Sequence, residues 1–227
     1  MAFNSLKLEI STHLASKGLK PTQAWLDSIL PTLRPNTPLP ALKQTALYRL
    51  LASDFTLTLQ SSRSILPSDI LDARIKERRI IGSVPVQVID IEDIGRSRWS
   101  QVEALEAAER GETTKGREII RVVPSEDSTD ADTTNSSSAG PHKLLLQDAK
   151  GTEVYGLEIE NIDKVDVNMN IGTKLLLKNV VVARGVLLLT PERVDILGGK
   201  IDLLHKTWKE NRKEDLAPSG KEPTKLK

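Results

Sequence analysis

The sequence predicts an α+β chain. An N-terminal three-helix bundle is expected to pack on a five-stranded β-barrel of the OB type, with a long insertion between strands one and two and a C-terminal helix. Three observations predict this. Apolar residues recur at helical spacing through the first third of the chain. From residue 82 onward they alternate or gather in short runs instead. Tight-turn signals then separate those runs.

The first helix follows from Phe3, Leu6, Ile10 and Leu14, with Gly18 as its stop. Pro21 suits the first turn of a second helix, whose apolar side is Trp25, Leu26, Ile29 and Leu30 and which Pro31 should end. Pro35, Pro38 and Pro40 read as a stiff connector to a third helix, with Leu42, Ala46, Leu47, Leu50 and Leu51 facing inward. Short amphipathic helices cannot each bury a face alone, so a bundle over 1–64 is expected. Val84, Val86 and Val88 alternate along a first strand that Ile89 and Ile91 continue. Lys143 to Gln147 forms the second, and Asp148-Ala149-Lys150-Gly151 turns into a third carrying Tyr155, Leu157 and Ile159. Lys174 to Val182 is the fourth, and Ala183-Arg184-Gly185 leads to the fifth, Val186 to Leu189. Val194 to Leu197 adds a short extended piece, and a last helix places Ile201, Leu204 and Trp208 on one side. The non-hairpin connection between strands three and four favours a Greek-key barrel over 65–210, followed by a flexible tail, 211–227.

The insertion, 94–141, far exceeds a hairpin loop of about 2–5 residues. Its first part, Arg96 to Arg110, carries Trp99, Val102 and Leu105 at helical spacing; Pro124 to Pro141 is rich in Ser, Thr and Asp, lacks Lys and Arg, and reads as a disordered tether.

Composition argues against chemistry in this chain. Cysteine is absent, which removes disulfides and thiolates, and His13, His142 and His205 stand apart without metal-ligand spacing. Gly111-Glu-Thr-Thr-Lys-Gly116 has phosphate-loop glycine spacing but continues Arg117-Glu118 where Lys and Ser/Thr are required. No nucleophile elbow occurs, so no enzyme, cofactor or small-molecule substrate is expected. No secretory signal or membrane span is read, and an intracellular protein is expected.

With 32 Lys+Arg against 31 Asp+Glu, the chain is no globally basic DNA-coating protein. OB barrels often bind single strands by stacking bases on aromatics, yet the five strands offer only Tyr155, which reads equally as a core or cap residue. The basic run Arg74, Lys76, Arg78 and Arg79 reads as a solvated segment. Direct single-strand binding is thus the alternative, with weak or indirect DNA contact expected. Trp99, Val102 and Leu105 have two readings. They pack back on their own barrel, or they are presented to a partner's groove as anchors on a short helix.

Gly172-Thr173-Lys174, Gly185-Val-Leu-Leu-Leu189 and Pro191-Glu192-x-Val194-x-Ile196-Leu197-Gly198-Gly199 are more specific than barrel physics demands. With Trp99-Ser100-Gln101-Val102 and Leu105, they resemble the N-terminal region of the RecQ-mediated genome instability (Rmi) family in a short, fungal-like form. The resemblance implies a non-catalytic nuclear partner of topoisomerase III, a type IA enzyme, acting with a RecQ-family helicase in double Holliday junction dissolution. It implies that the insertion reaches the topoisomerase gate, with contacts expected from Trp99, Val102, Leu105 and, on the barrel, Lys174. Lys174 reads otherwise as an exposed lysine at a strand start. Vertebrate members continue into a second OB domain, and the partnership of that domain is not expected here.

Overall fold

The computed structural model describes residues 2–33, 37–62, 64–110, 112–115, 118–121 and 140–216. Helices α1 (Ala2–Ser16), α2 (Gln23–Ile29) and α3 (Leu39–Leu51) form where the apolar spacing places them. Gly18 stops α1 at φ 78°, where the Leu19 N–H turns back to the Leu14 carbonyl at 3.0 Å. Prolines behave less simply. Pro21 lies outside α2, which Thr22 caps by accepting from the Trp25 N–H. Pro31 does not break the chain's course but opens a 3-10 turn, Leu30–Thr32, and Pro40 sits in the first turn of α3. In both places the missing N–H had no helical partner to lose. A fourth helix, α4 (Phe55–Thr58), escapes the periodicity because it is one turn long. Asp54 caps it, accepting from the Thr56 N–H at 2.8 Å. Ile10, Leu14, Leu26, Leu42, Leu50 and Phe55 fill the core between these helices.

The second core belongs to a curled sheet. Its strands are β1 (Arg78–Arg79), β2 (Ser83–Asp93), β5 (His142–Asp148), β6 (Glu153–Glu158), β7 (Lys174–Lys178), β8 (Val181–Ala183), β9 (Val186–Leu189) and β10 (Val194–Gly198). The insertion contributes α5 (Arg98–Glu109) and a separate hairpin of β3 (Glu112–Lys115) and β4 (Glu118–Arg121). The sheet order is β1-β8-β9-β6-β5-β2-β7-β10, with β6 and β9 parallel. The expected fourth strand is broken at Asn179, which adopts φ 48°. Its first half, β7, pairs with β2, while its second, β8, pairs with β9. One bent segment therefore borders both β2 and β9 and curls the sheet in the manner of an OB fold, with β1 and β10 left as its two ends. Val86, Val88, Leu144, Leu146, Leu175 and Leu177 point into it and are fully buried.

Helix α6 (Asp202–Leu216) seals the barrel with Leu204 and Trp208, and the Ile171 N–H donates to His205 Nδ1 at 3.1 Å. Residues 211–216, expected in the tail, are helical; 217–227 fall outside the described residues.

Helices and barrel are joined through a buried interface. Ala149 and Leu197, both from barrel segments, belong to or border the helical core. The chain enters the barrel at Leu66, which belongs to the barrel core and whose N–H donates to Asp148 Oδ2 at 2.8 Å. Gly199, at φ 96°, lies so near α3 that a Cβ there would sit 2.3 Å from the Leu51 carbonyl oxygen. At the centre, Gln87 Oε1 accepts from the Phe55 N–H (3.0 Å) and from Lys174 Nζ (2.9 Å). Gln87 Nε2 donates to Asp54 Oδ1 (2.9 Å) and Gln147 Oε1 (3.0 Å).

Lys174 is thus placed differently from the sequence expectation. It is fully buried, with Nζ 4.7 Å from the centre of the Phe55 ring, and presents nothing to a partner. The physical reason lies in what covers its face of the sheet. The side of β7 that carries Lys174 and Leu176 is overlaid by the helical unit, through Phe55 and Gly18, whereas Lys178 at the far end of the same strand stays exposed.

Candidate partner interface

The insertion leaves the barrel between Asp93 and His142, which face each other at the end of the β2–β5 ladder. Its two ends are pinned. The Ile94 N–H donates to the Pro141 carbonyl (3.0 Å), and the Gly95 N–H donates to Asp93 Oδ1 (2.8 Å). Gly95 and Gly140 approach so closely that a Cβ on Gly95 would lie 2.7 Å from the Gly140 carbonyl oxygen. Beneath this neck, Glu158 is buried and fully engaged. Its Oε2 accepts from the His142 N–H (3.0 Å) and lies 2.5 Å from His142 Nδ1, while Oε1 accepts from the Ile162 N–H (2.8 Å). Buried polar groups paired this way fix one geometry.

Ser97 starts α5 by accepting from the Ser100 N–H at 3.1 Å. The buried Gln101 then reaches back, its Nε2 donating to the carbonyls of Asp93 (2.7 Å) and Arg96 (3.3 Å). This local tie sets the exit angle of the helix. Farther along, Lys213 of α6 bridges Glu106 (3.3 Å) and Glu109 (3.0 Å), so α5 rests on α6. α6 is fastened in turn by Trp208 Nε1 donating to Asp90 Oδ1 (2.6 Å), with the Arg212 guanidinium stacked 4.2 Å over the Trp208 ring.

The stripe Trp99, Val102 and Leu105 divides on this scaffold. Val102 is buried against the protein's own body and Leu105 is half-buried, so the inward reading holds for the first and partly for the second. Trp99 is 62% exposed, its Nε1 donating to Glu103 Oε1 at 2.9 Å. Lys174 is not brought to this group: Gln87, opposite it, lies six residues before Asp93, roughly 20 Å along β2.

Sequence reasoning missed the residues that connect α5 to the barrel wall. Arg98 Nε donates to Glu92 Oε1 (2.7 Å), and Lys143 Nζ sits 2.6 Å from Glu92 Oε2. The hydrogen bond from Arg98, with Lys143 beside it, draws the Glu92 carboxyl down to about 2 against the opposing pull of partial burial. Lys143 Nζ also lies 5.3 Å over the Tyr155 ring. Tyr155 is neither core nor cap; it stands on the outer wall, in register with Leu145 and Val186, beside a second outward row of Leu157 and Leu188. A Glu92-x5-Arg98 spacing is a weak signal, and only the fold reveals that Arg98 and the distant Lys143 converge on one carboxylate.

Little here resembles a reaction centre. Among the described residues no group of three or more His, Asp or Glu could hold a metal, and no helix is long and apolar enough to cross a membrane. The cleft between β2, Arg98, Trp208 and Arg212 holds only about 50 Å³, well below the roughly 300 Å³ at which small-molecule sites begin. A wider open groove of about 550 Å³, between the end of α1 and Leu176, Lys178 and Asp195, is lined by no histidine, and its one carboxylate, Asp195, is paired with Lys178. Residues 112–115 form a strand paired with 118–121, where a P-loop would open a helix; Gly111 and Gly116 themselves lie outside the described residues. The acidic stretch, 124–139, lies outside the described residues.

Two family models match the chain: "RMI1, N-terminal helical domain" over residues 14–58 and "RMI1, N-terminal OB-fold domain" over residues 66–212. The chain belongs to the RMI1 family. It is 30% identical to RecQ-mediated genome instability protein 1 of Schizosaccharomyces pombe over 216 residues, covering 88% of this chain and 90% of that relative. Against the protein of the same name from Mus musculus it is 27% identical over 208 residues, which is 89% of this chain but 32% of the mouse protein. Tudor domain-containing protein 3 of Danio rerio shares 37% identity over 78 residues, 34% of this chain and 11% of its own. The OB match of the RMI1 family opens at Leu66, bonded to Asp148, and closes at Arg212, stacked on Trp208. The insertion and its neck therefore fall inside the matched OB domain.

Proposed function

We propose that this chain is a non-catalytic subunit of a nuclear complex between a type IA topoisomerase (topoisomerase III) and a RecQ-family helicase. It serves genome stability by promoting the dissolution of double Holliday junctions. The observation that carries this reading is the match along nearly the whole chain to RMI1 helical and OB-fold domains and to a relative named for RecQ-mediated genome instability. The geometry supports a mechanism of contact. A topoisomerase that cuts one strand and passes another must open and close, and a bound partner shifts that equilibrium only by holding one state more tightly. A differential affinity of about 1–3 kcal/mol changes the open fraction roughly 5–150-fold. The neck supplies a fixed root, and Trp99, with the outer wall around Tyr155 and Leu157, supplies apolar surface beside it.

The test is co-purification and junction dissolution with topoisomerase and helicase present. Trp99→Ala should weaken topoisomerase binding about tenfold, as loss of an aromatic anchor does. Replacing 111–139 with a short Gly-Ser linker should keep binding and impair dissolution. Undiminished dissolution by the linker variant would remove the gate from the mechanism. Tight binding of an unpaired oligonucleotide by the isolated chain would favour the single-strand reading instead.

A further inference from the structure

Among the described residues, Lys174 is the one fully buried lysine, and the proposed contact with a topoisomerase does not use it. It stands at the start of β7, yet its ammonium crosses to the helical side. Nζ donates to Gln87 Oε1 at 2.9 Å and lies 4.7 Å from the centre of the Phe55 ring of α4. The same Gln87 oxygen accepts from the Phe55 N–H (3.0 Å), and its amide nitrogen donates to Asp54 Oδ1 (2.9 Å), the residue that caps α4. One barrel glutamine and one barrel lysine thus grip the first turn of α4 from two directions.

The rest of the joint is apolar. Leu176 lies under Gly18, Gly199 abuts Leu51, and Ala149 and Leu197 enter or border the helical core. Apolar burial is non-directional and tolerates small rotations of one surface on another. Hydrogen bonds to a capped helix turn, and a cation over a ring face, are directional and do not. A buried ammonium held by one amide oxygen and a ring, with the Asp54 carboxylate nearby but not bonded to it, is also a poor way to gain stability, because its desolvation is incompletely offset. Its placement makes sense as a device for specificity.

We propose that Lys174 is a positioning residue that selects a single orientation of the helical unit on the barrel, acting through Gln87 and the Phe55 ring and touching no partner. If the topoisomerase spans both units, as the reading above allows, substitution at Lys174 weakens its binding from a distance. The proposal itself concerns the isolated chain and stands or falls without that partner.

The chain has no cysteine, so labels can be introduced cleanly in the full-length protein. One spin-label pair, at Gln44→Cys on α3 and Glu160→Cys after β6, spans the joint; a second, at Lys150→Cys and Glu160→Cys, lies within the barrel. All three positions are exposed. The wild-type background should give one narrow distance for each pair. Lys174→Met should at least double the width of the distribution across the joint and leave the barrel pair unchanged. Phe55→Leu, which keeps Gln87 and the ammonium but removes the ring, should broaden the same distance to a lesser degree. An unchanged interunit distance in the Met variant overturns the proposal. So does loss of the barrel distance, since Lys174 would then support the barrel core and not the orientation.

Discussion

At the Gln87 end of β2, the helical unit is held by buried amides, a buried ammonium and close-packed leucines. At the Asp93 end, the insertion is held by a buried neck, but its helix is steered by charges that remain half in water. Arg98 is 54% exposed where it meets Glu92, and Lys213 is 40% exposed where it meets Glu106 and Glu109. The same strand carries one joint made to stay fixed and one whose outer arm can be re-aimed at small energetic cost. Exposed ion pairs contribute about 0–1 kcal/mol, whereas a disturbed core or backbone contact costs several.

The largest break in that comparison should come at Gly199. Its positive φ and the 2.3 Å approach to Leu51 leave no room for a side chain. Gly199→Ala should therefore cost about 3 kcal/mol or more, read as a fall in the urea midpoint, with unfolding of the helical unit before the barrel. A smaller effect is expected from the charge on Lys174. Burial pushes its ammonium to about 7, with Asp54 opposing, from an ordinary value near 10.5. The folded state then binds fewer protons than the unfolded one between those values, so stability rises with pH across that window. Lys174→Met, which cannot titrate, should be the more stable protein below pH 7 by on the order of 2–4 kcal/mol, the gap closing as pH rises toward 10. Parallel stability curves for the two proteins would refute this. The smallest effect belongs to the outer arm. Glu92, depressed to about 2, contributes stability above its unfolded value near 4.5 that is lost as pH falls toward 2. Arg98→Ala should raise the carboxyl's titration midpoint in NMR and cost only about 1 kcal/mol, because water screens the pair. Amide exchange should quicken in α5 and not in α3.

Much of the fold was legible because its signals are periodic. Ile10 and Leu14, Leu42 and Leu50, and the alternating Val84, Val86 and Val88 declare their partners' faces directly. Features set by tertiary company were not. The one-turn helix at Phe55 depends on Asp54 and Gln87 rather than on any repeat. The break at Asn179, which lets one strand serve both sides of the barrel, comes from a left-handed residue; asparagine tolerates that region better than other side chains, but a lone Asn inside an apolar run is too weak a signal to divide it. Edge strand β1 adds a pairing beyond the five expected strands, and the short extended piece expected at Val194 to Leu197 proves to be a paired edge, β10. At the candidate interface, helical spacing found the helix but left open which way its stripe faces: Val102 turns inward and Trp99 outward, and the burial of Gln101 beside Val102 follows from its bonds to the backbone at the neck rather than from any spacing. Lys174 was misplaced because a lysine invites an exposed assignment, although Leu175, Leu176 and Leu177 beside it already mark a strand covered on both faces.

The hydrogen bond between Ile94 and Pro141, backed by the facing Asp93 and His142, has an evolutionary corollary. Because the segment's two roots sit as close as those of an ordinary hairpin, its length is nearly invisible to the barrel; each doubling adds only about 0.6 kcal/mol of closure entropy. Past α5, which Gln101, Val102 and Lys213 keep seated, the remainder can be lengthened, shortened or exchanged like a cartridge, so lineages are free to retune what it engages while the receiving frame stays the same.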